Sequence, residues 1–222
     1  MLISPLGENA LTVSFGNIIS EDLNRKAIAL CRILEQAPFP GMIEAVPAYS
    51  SVTIFYELIV TRNAFLEYAT AFEAISVLVE GMLQYVDISE LDDPRMHKIP
   101  VHIGPEASLD LDSIAESRGV SPEDFLAIFL ERTYRVFMIG FLPGFAYMGE
   151  VDGRIAVPRL TSPRTNVPKG SVGIAGNQAG IYPRNSPGGW QIIGRTDLQL
   201  FDAKRVEPCL FRAGDEVRFV RV

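Results

Sequence analysis

The chain has 222 residues, of which 48% are hydrophobic, and its formal net charge is −7. This length suits one large or two small domains with a sizeable core. The acidic balance argues against nucleic-acid and anionic membrane surfaces, because both need clustered lysine and arginine. We therefore expect neither a nucleic-acid partner nor a membrane partner.

The sequence also constrains location and metal chemistry. The N-terminal segment has no basic stretch before a long apolar run, so we expect no signal peptide, and no run of 18 apolar residues predicts a membrane span. Cys31 and Cys209 lie far apart and fit no metal-ligand spacing. Cys31 also lies on the apolar stripe of a predicted helix, which predicts a buried thiol. These observations predict a cytoplasmic protein without a metal site.

The first 90 residues alternate between strand and helix patterns. Ser20 and Asn63 are placed as helix caps, and Pro47 indicates an edge strand or a bulge. Apolar spacing defines the elements. They are a strand at 11–15, a helix from 20 to about 35, strands at 42–49 and 51–56, and a helix at 64–83.

This order predicts a small α+β sandwich, with helices on one face of an antiparallel sheet. The acidic, turn-rich segment 87–97 separates it from the rest of the chain. We therefore predict two domains, an α+β domain at 1–90 and a second domain at 91–222.

Two short helices are predicted early in the second domain. One covers 110–117 and ends at Gly119, and the other begins at Ser121-Pro122 and runs to about residue 132. The pair resembles a helix-turn-helix, but the second helix begins with acidic residues and is largely apolar. DNA recognition is therefore not expected.

From residue 134 onward the chain is rich in Gly and Pro but also in aromatic and β-branched residues. Many short strands separated by turn signals favour a barrel. The predicted strands are 134–141, 155–157, 171–175, 180–182, 190–195 and 216–220.

Several arginines lie in these Gly/Pro-rich blocks of an otherwise acidic chain. A guanidinium fork binds carboxylate or phosphate through two hydrogen bonds, and nearby amide, hydroxyl and indole groups could complete a polar pocket. The alternative is that the arginines brace loops by bonding backbone carbonyls. The candidate substrate-binding residues are Arg159, Arg164, Gln178, Tyr182, Ser186, Trp190 and Arg195.

The remaining motifs do not indicate a catalytic or nucleotide-binding site. His97 and His102 have no Ser or Cys elbow, so no catalytic residue is assigned. The glycines of GSVGIAG do not form a P-loop, so we expect this chain alone to bind no nucleotide. In FLPGFAYMG the aromatic residues could form core, or a loop tip could expose Phe145 and Tyr147 to a partner subunit.

Four blocks carry a family resemblance: GFLPGFAYMG, PRLTSPRTNVPKGSVGIAG, GIYPRNSPGGW and IGRTDLQLFD. In this order they resemble the KipI and allophanate hydrolase subunit 1 family, whose bacterial members are mainly the B subunit of 5-oxoprolinase. The resemblance implies that the second domain is a mainly-β, cyclophilin-like barrel.

The resemblance further implies a component that is inactive alone, within a complex that opens 5-oxoproline to glutamate using ATP and Mg. The implied partners are an allophanate hydrolase subunit 2-like protein (the 5-oxoprolinase C subunit) and a LamB/YcsF-type protein (the A subunit). Two alternatives stay open. One is a regulator that binds and inhibits a sensor histidine kinase, and the other is a component of urea carboxylase or allophanate hydrolase.

Overall fold

The computed structural model describes every residue from Met1 to Val222. Contacts between Cα atoms divide the chain into two compact units, Met1–Asp93 and Pro94–Val222. The expected division into two domains at 1–90 and 91–222 stays a prediction, because compact units need not fold independently. None of the helices is long and apolar enough to cross a membrane.

The first unit is built on a four-stranded antiparallel sheet. Its strands are β1 (Leu2–Pro5), β2 (Ala10–Ser14), β3 (Met42–Ala48) and β4 (Ser51–Tyr56), in the order β1-β2-β4-β3. Helix α1 (Glu21–Gln36) contributes Leu30 and Leu34 to the same buried core as Val52 and Ile54 of β4. Pro47 lies on the edge strand β3, as expected for a residue that cannot donate to a ladder.

The predicted single helix at 64–83 is wrong. The structure has two helices there, α2 (Leu58–Ala64) and α3 (Ala71–Leu83). Asn63 lies within α2 and caps nothing; the cap of α3 is Thr70, whose Oγ1 accepts a hydrogen bond from the Glu73 backbone N–H at 3.0 Å. The Thr-x-x-Glu capping signal thus starts a new helix inside a continuous apolar pattern.

The second unit contains a seven-stranded sheet and two helices. Its sheet order is β12-β9-β10-β7-β6-β13-β5, with β13 and β5 parallel and the other neighbours antiparallel. The elements are β5 (Met96–Val101), α4 (Leu111–Ser117), α5 (Pro122–Glu131), β6 (Thr133–Ile139), β7 (Ala146–Gly149), β8 (Arg164–Val167), β9 (Ser171–Ala175), β10 (Gln178–Ile181), β11 (Ser186–Gly188), β12 (Gln191–Arg195) and β13 (Glu216–Arg221).

The two edges of this sheet meet immediately after β5. The His102 N–H donates to the Arg195 carbonyl at 2.7 Å, and the Arg195 N–H donates to the His102 carbonyl at 3.0 Å. This bridge joins β5 to β12 and nearly closes the sheet into a barrel. The expected α+β fold with a β-rich second part is therefore observed at this coarse level.

Two details of the strand prediction differ from the structure. Residues 155–157 form no strand; only Val157 makes an isolated bridge, to Gly176. Strands β7, β8 and β11 are not among the predicted strands, because they are three or four residues long and β11 contains Pro187. Strands β8 and β11 pair with each other in a separate two-stranded sheet.

Candidate functional site

The outer face of the barrel carries an apolar cluster separate from the barrel core. Along β9, Val172 and Ile174 belong to the barrel core, while Ala175 belongs to the outer cluster. Successive side chains of a strand point to opposite faces, so Ser171 and Gly173 share the outer face with Ala175. The outer cluster, hereafter the aromatic cluster, consists of Phe145, Val167, Ala175, Tyr182, Trp190 and Ile192, with Leu142 and Tyr147 at its margin.

Phe145 forms the centre of the aromatic cluster. Its ring meets those of Tyr147, Tyr182 and Trp190 edge to face, with centroids 4.8 to 5.4 Å apart. The close approach depends on Gly180, since a β-carbon there would lie 2.9 Å from Phe145 Cζ. Phe145 is a buried platform for the rings around it.

Of the two alternatives for FLPGFAYMG, core packing is observed for Phe145 and the exposed loop tip is wrong for it, because this residue is only 1% exposed. The Pro-Gly turn buries Phe145 and leaves Phe141 as the exposed aromatic residue, with 61% of its surface accessible. Phe141 has a positive φ of 67° and packs its ring edge to face on Phe145 at 5.6 Å. Tyr147 is half-buried, and its contact with a partner subunit stays a prediction.

Polar groups line the aromatic cluster. The Arg159 guanidinium carbon lies 5.9 Å from the Trp190 ring centroid, within cation–π range. Burial raises the pKa of Tyr182, opposed by a hydrogen bond from the Trp190 backbone N–H and by the charges of Arg159 and Arg164. Burial likewise raises the pKa of Tyr147. Both phenols therefore stay protonated at neutral pH and can donate hydrogen bonds.

Arg164 begins β8 and is fixed by a buried carboxylate. Its Nη2 donates to Asp110 Oδ1 at 2.5 Å, while Asp110 Oδ2 accepts from the Ile192 backbone N–H at 2.6 Å. The other terminal nitrogen of Arg164, Nη1, is buried without a hydrogen-bond partner. Arg164 thus bonds the side chain of Asp110, whereas an arginine that braced a loop would bond a backbone carbonyl. One of its two terminal nitrogens remains without a partner.

Ser186 begins β11, opposite Val167 of β8. Its hydroxyl is also buried and has no partner. Only three buried side-chain polar atoms in the chain lack a partner, and two of them, in Arg164 and Ser186, lie on the two-stranded sheet that covers the aromatic cluster. Buried polar atoms are rarely left unpaired, so each of these two atoms is a candidate donor for a bound polar group.

Two further predicted residues lie at the margin of the aromatic cluster. Gln178 shares the outer face of β10 with Gly180 and pairs with Ala175. Arg195 is exposed at the barrel closure and pairs with Ser171, whose carbonyl accepts from the Tyr182 N–H. Arg195 therefore lies two strands, about 10 Å, from Tyr182.

The structure thus gathers Arg159, Arg164, Tyr182, Ser186 and Trp190 and leaves Gln178 and Arg195 at the edge. Sequence reasoning missed Asp110 and Phe141. Asp110 precedes a helix, where an aspartate is an ordinary cap, so its position gave no signal of a site. The glycine-rich segment GSVGIAG forms β9 and its following turn rather than a loop leading into a helix.

Residues 1–211 match the family described as carboxyltransferase domain, subdomain C and D. The chain belongs to this family. A member from Bacillus subtilis, the B subunit of 5-oxoprolinase, is 42% identical over 221 residues, which cover 99% of this chain and 92% of that protein. The 5-oxoprolinase B subunit of Haemophilus influenzae is 36% identical, covering 99% and 97% of the two chains. The resemblance to the B subunit of 5-oxoprolinase is therefore confirmed.

Among solved structures, the chain is similar to TTHA0988, with a TM-score of 0.80 and 35% sequence identity. The match covers 96% of this chain but 39% of that one, so the chain spans about two fifths of TTHA0988.

Proposed function

We propose that this chain is a non-autonomous subunit of an ATP-dependent 5-oxoprolinase, a hydrolase complex that opens the lactam ring of 5-oxoproline to give glutamate. Two relatives named as the B subunit of 5-oxoprolinase support this, because each is matched along more than nine tenths of its length. The complex joins this chain to an allophanate hydrolase subunit 2-like protein, the C subunit, and to a LamB/YcsF-type protein, the A subunit.

We further propose that the barrel is of the cyclophilin-like kind and that the two units act as domains at 1–90 and 91–222. A cytoplasmic location belongs to the same proposal. It agrees with two free cysteines and no disulfide.

The proposed substrate site is the aromatic cluster with the sheet β8–β11 above it. 5-Oxoproline carries one carboxylate on a small, nearly flat lactam ring. The unpartnered Nη1 of Arg164 supplies a buried donor for that carboxylate, and this observation carries the proposal. The Ser186 hydroxyl, opposite Val167, is a second unpartnered donor on the same small sheet. Charge-assisted hydrogen bonds to carboxylate are about twice as strong as neutral ones.

The other site residues act on the ring and at the margin. Trp190 is 4% exposed and has Arg159 over its ring, so it forms part of the wall of the site. The protonated Tyr182 hydroxyl and the Gln178 amide orient the lactam group. Arg195, exposed at the margin, can meet a second anionic group on the activated substrate.

ATP with Mg supplies the phosphorylation that makes opening of a stable lactam favourable. The glycine-rich segment does not have the geometry of a phosphate loop, because it forms a strand and its turn rather than a loop before a helix. We therefore assign substrate binding to this chain and ATP binding to one of its partners.

Reconstitution tests the function. The purified chain is mixed with the A and C subunits, ATP and Mg, and glutamate is measured. Activity is expected only in the complete mixture, and not for the chain alone or for the mixture lacking it. Absence of glutamate with verified, folded partners would contradict the proposal and move attention to the kinase-binding and urea carboxylase alternatives, tested next by pull-down.

The site assignment needs its own test. Trp190 is the single tryptophan of the chain, so its fluorescence reports binding at the aromatic cluster without turnover. We expect 5-oxoproline to change this fluorescence in the wild-type chain, and Arg164→Ala to weaken binding and activity together. Full activity of the reconstituted Arg164→Ala complex would refute the assignment of Arg164.

A further inference from the structure

We infer that Asp110 is a positioning residue for the substrate carboxylate and that it acts through Arg164. The inference rests on the proposed function, because it concerns how one residue of the proposed site is held. Asp110 lies 54 residues before Arg164 and 82 residues before Ile192, and it contacts both.

Asp110 joins the Arg164 guanidinium to the barrel wall. One carboxylate oxygen binds Arg164 Nη2, and the other binds the backbone N–H of Ile192 on β12. The Asp110 backbone N–H also donates to the Ile192 carbonyl at 2.9 Å. Both the backbone and the side chain of Asp110 are therefore tied to one residue of the barrel, and the direction of the carboxylate is fixed.

This arrangement sets which donor of Arg164 remains available. A guanidinium is planar, so a hydrogen bond from Nη2 to a rigid carboxylate restricts the orientations open to the other nitrogens of the group. Nη1 then stays buried and unpartnered over the aromatic cluster. A donor that is already oriented loses less conformational entropy when it binds an anion.

The carboxylate of Asp110 does not serve the local role that its position suggests. Asp110 is the N-cap residue of α4, yet its side chain makes no capping hydrogen bond to that helix. Asp110 is 6% exposed, and burying a charge is costly unless it is paired. Its carboxylate bonds instead to a site arginine and to the strand that follows Trp190 of the aromatic cluster.

The pairing also defines the class of ligand. A lone, oriented guanidinium N–H suits a carboxylate, because a charged donor and a carboxylate oxygen form a charge-assisted hydrogen bond. A lactam without a carboxylate, such as 2-pyrrolidinone, has no anionic group to bind Arg164, so Arg164 does not strengthen its binding. A substitution of Asp110 should therefore weaken the binding of 5-oxoproline and leave the binding of 2-pyrrolidinone unchanged.

The test uses the reconstituted complex with Asp110→Asn. The asparagine amide oxygen can still accept from the Ile192 N–H, while its NH₂ group cannot pair with the guanidinium. We expect KM for 5-oxoproline to rise about tenfold with a smaller change in kcat, which corresponds to the loss of one oriented charge-assisted hydrogen bond. The inhibition constant of 2-pyrrolidinone should stay within about twofold, because that ligand lacks the carboxylate.

Asp152→Asn is the matched control, because Asp152 is also an arginine-paired carboxylate of the same unit, 3.0 Å from Arg154 Nε. It should leave both constants unchanged. A wild-type complex without activity would reject the proposed function itself. An active wild type with an unchanged KM in Asp110→Asn, or with both constants rising together, would reject only the positioning role.

A second variant keeps the test decisive if Asp110→Asn does not fold. Arg164→Lys keeps the positive charge beside Asp110 but has a single nitrogen in place of the fork. It should show the same selective rise in KM for 5-oxoproline. Wild-type KM in a folded Arg164→Lys complex would overturn the inference.

Discussion

The hydroxyl of Tyr182 lies directly under Gly188, 2.3 Å from the point that a β-carbon at residue 188 would occupy. The Tyr182 ring carbons Cζ and Cε1 lie 2.8 Å from the same point. Gly188 pairs with Arg164 across the sheet β8–β11, so this contact seats that sheet on the aromatic cluster.

Replacing Gly188 with alanine should therefore disturb the site. The new methyl group overlaps the Tyr182 phenol and must displace either the ring or β11. Overpacking of this kind costs about 1–3 kcal/mol of unfolding free energy. Urea denaturation measures the loss, and activity of the reconstituted complex should fall with it.

Gly153→Ala is the control for this substitution, because a β-carbon there would meet no atom within 4 Å. It should leave stability and activity nearly unchanged. The double variant Gly188→Ala with Tyr182→Phe removes the closest atom and should recover part of the stability. Equal stability of Gly188→Ala and wild type would contradict the packing described.

A buried carboxylate organises the two ends of the second unit. Asp215 is 4% exposed and accepts from Arg95 Nε at 2.9 Å, Arg95 Nη2 at 2.6 Å and the Arg212 N–H at 2.9 Å, and its Oδ2 lies 3.0 Å from His97 Nε2. Asp215→Asn should lower the unfolding free energy by roughly 1–3 kcal/mol, because it weakens the hydrogen bonds of a buried carboxylate, while Arg95 is 36% exposed and keeps Glu207 as a partner. Chemical denaturation checks this value.

The stability loss in Asp215→Asn can be compared with the loss on breaking an exposed ion pair. Asp92 is 82% exposed in its pair with Arg32, so Asp92→Asn should cost less than about 1 kcal/mol. Similar losses in the two variants would show that burial does not set the strength of these pairs.

Two of the helix N-caps in the first unit allow a matched test of capping. Thr70 accepts from the Glu73 N–H, whereas Ser20 at the start of α1 makes no side-chain capping bond. Thr70→Ala should cost about 1 kcal/mol, and Ser20→Ala less than about 0.5 kcal/mol. Thermal or urea unfolding of both variants measures the difference; a larger loss for Ser20→Ala would reverse this assignment.

The two cysteines should differ strongly in reactivity. Burial, with a smaller contribution from Glu35, raises the pKa of Cys31 from its ordinary value of 9.0 to about 12. At pH 8 a thiol reagent should label Cys209 first and Cys31 only when denaturant unfolds the protein, because the thiolate is the reactive form. Cys209→Ser should abolish the fast phase, and fast labelling of Cys31 in that variant would contradict its burial.

The same pKa gives a dependence of stability on pH. Because the folded state binds the thiol proton more tightly, the contribution of Cys31 is fully present below pH 9 and is lost as the pH rises towards 12. Cys31→Ala should remove this part of the alkaline loss. An identical alkaline transition in wild type and Cys31→Ala would show that other groups cause it.

The sequence by itself determined the local elements and the family. Apolar spacing and caps located α1, α4 and α5, and Pro47 marked an edge strand, because these signals depend on neighbouring residues. The same signals failed at α2 and α3, where a capping pair interrupts one apolar pattern. Residue chemistry also selected Arg164 and Ser186 as candidates without any knowledge of their contacts.

Only the tertiary structure decided which of these residues meet. The pairing of Asp110 with Arg164 spans 54 residues and depends on β8 lying over the barrel near the start of α4. Likewise, alternation in β9 shows that the strand has two faces, but only the barrel closure and the β8–β11 sheet decide what covers each face. Contacts between distant segments depend on strand order, and strand order leaves no periodic trace in the sequence.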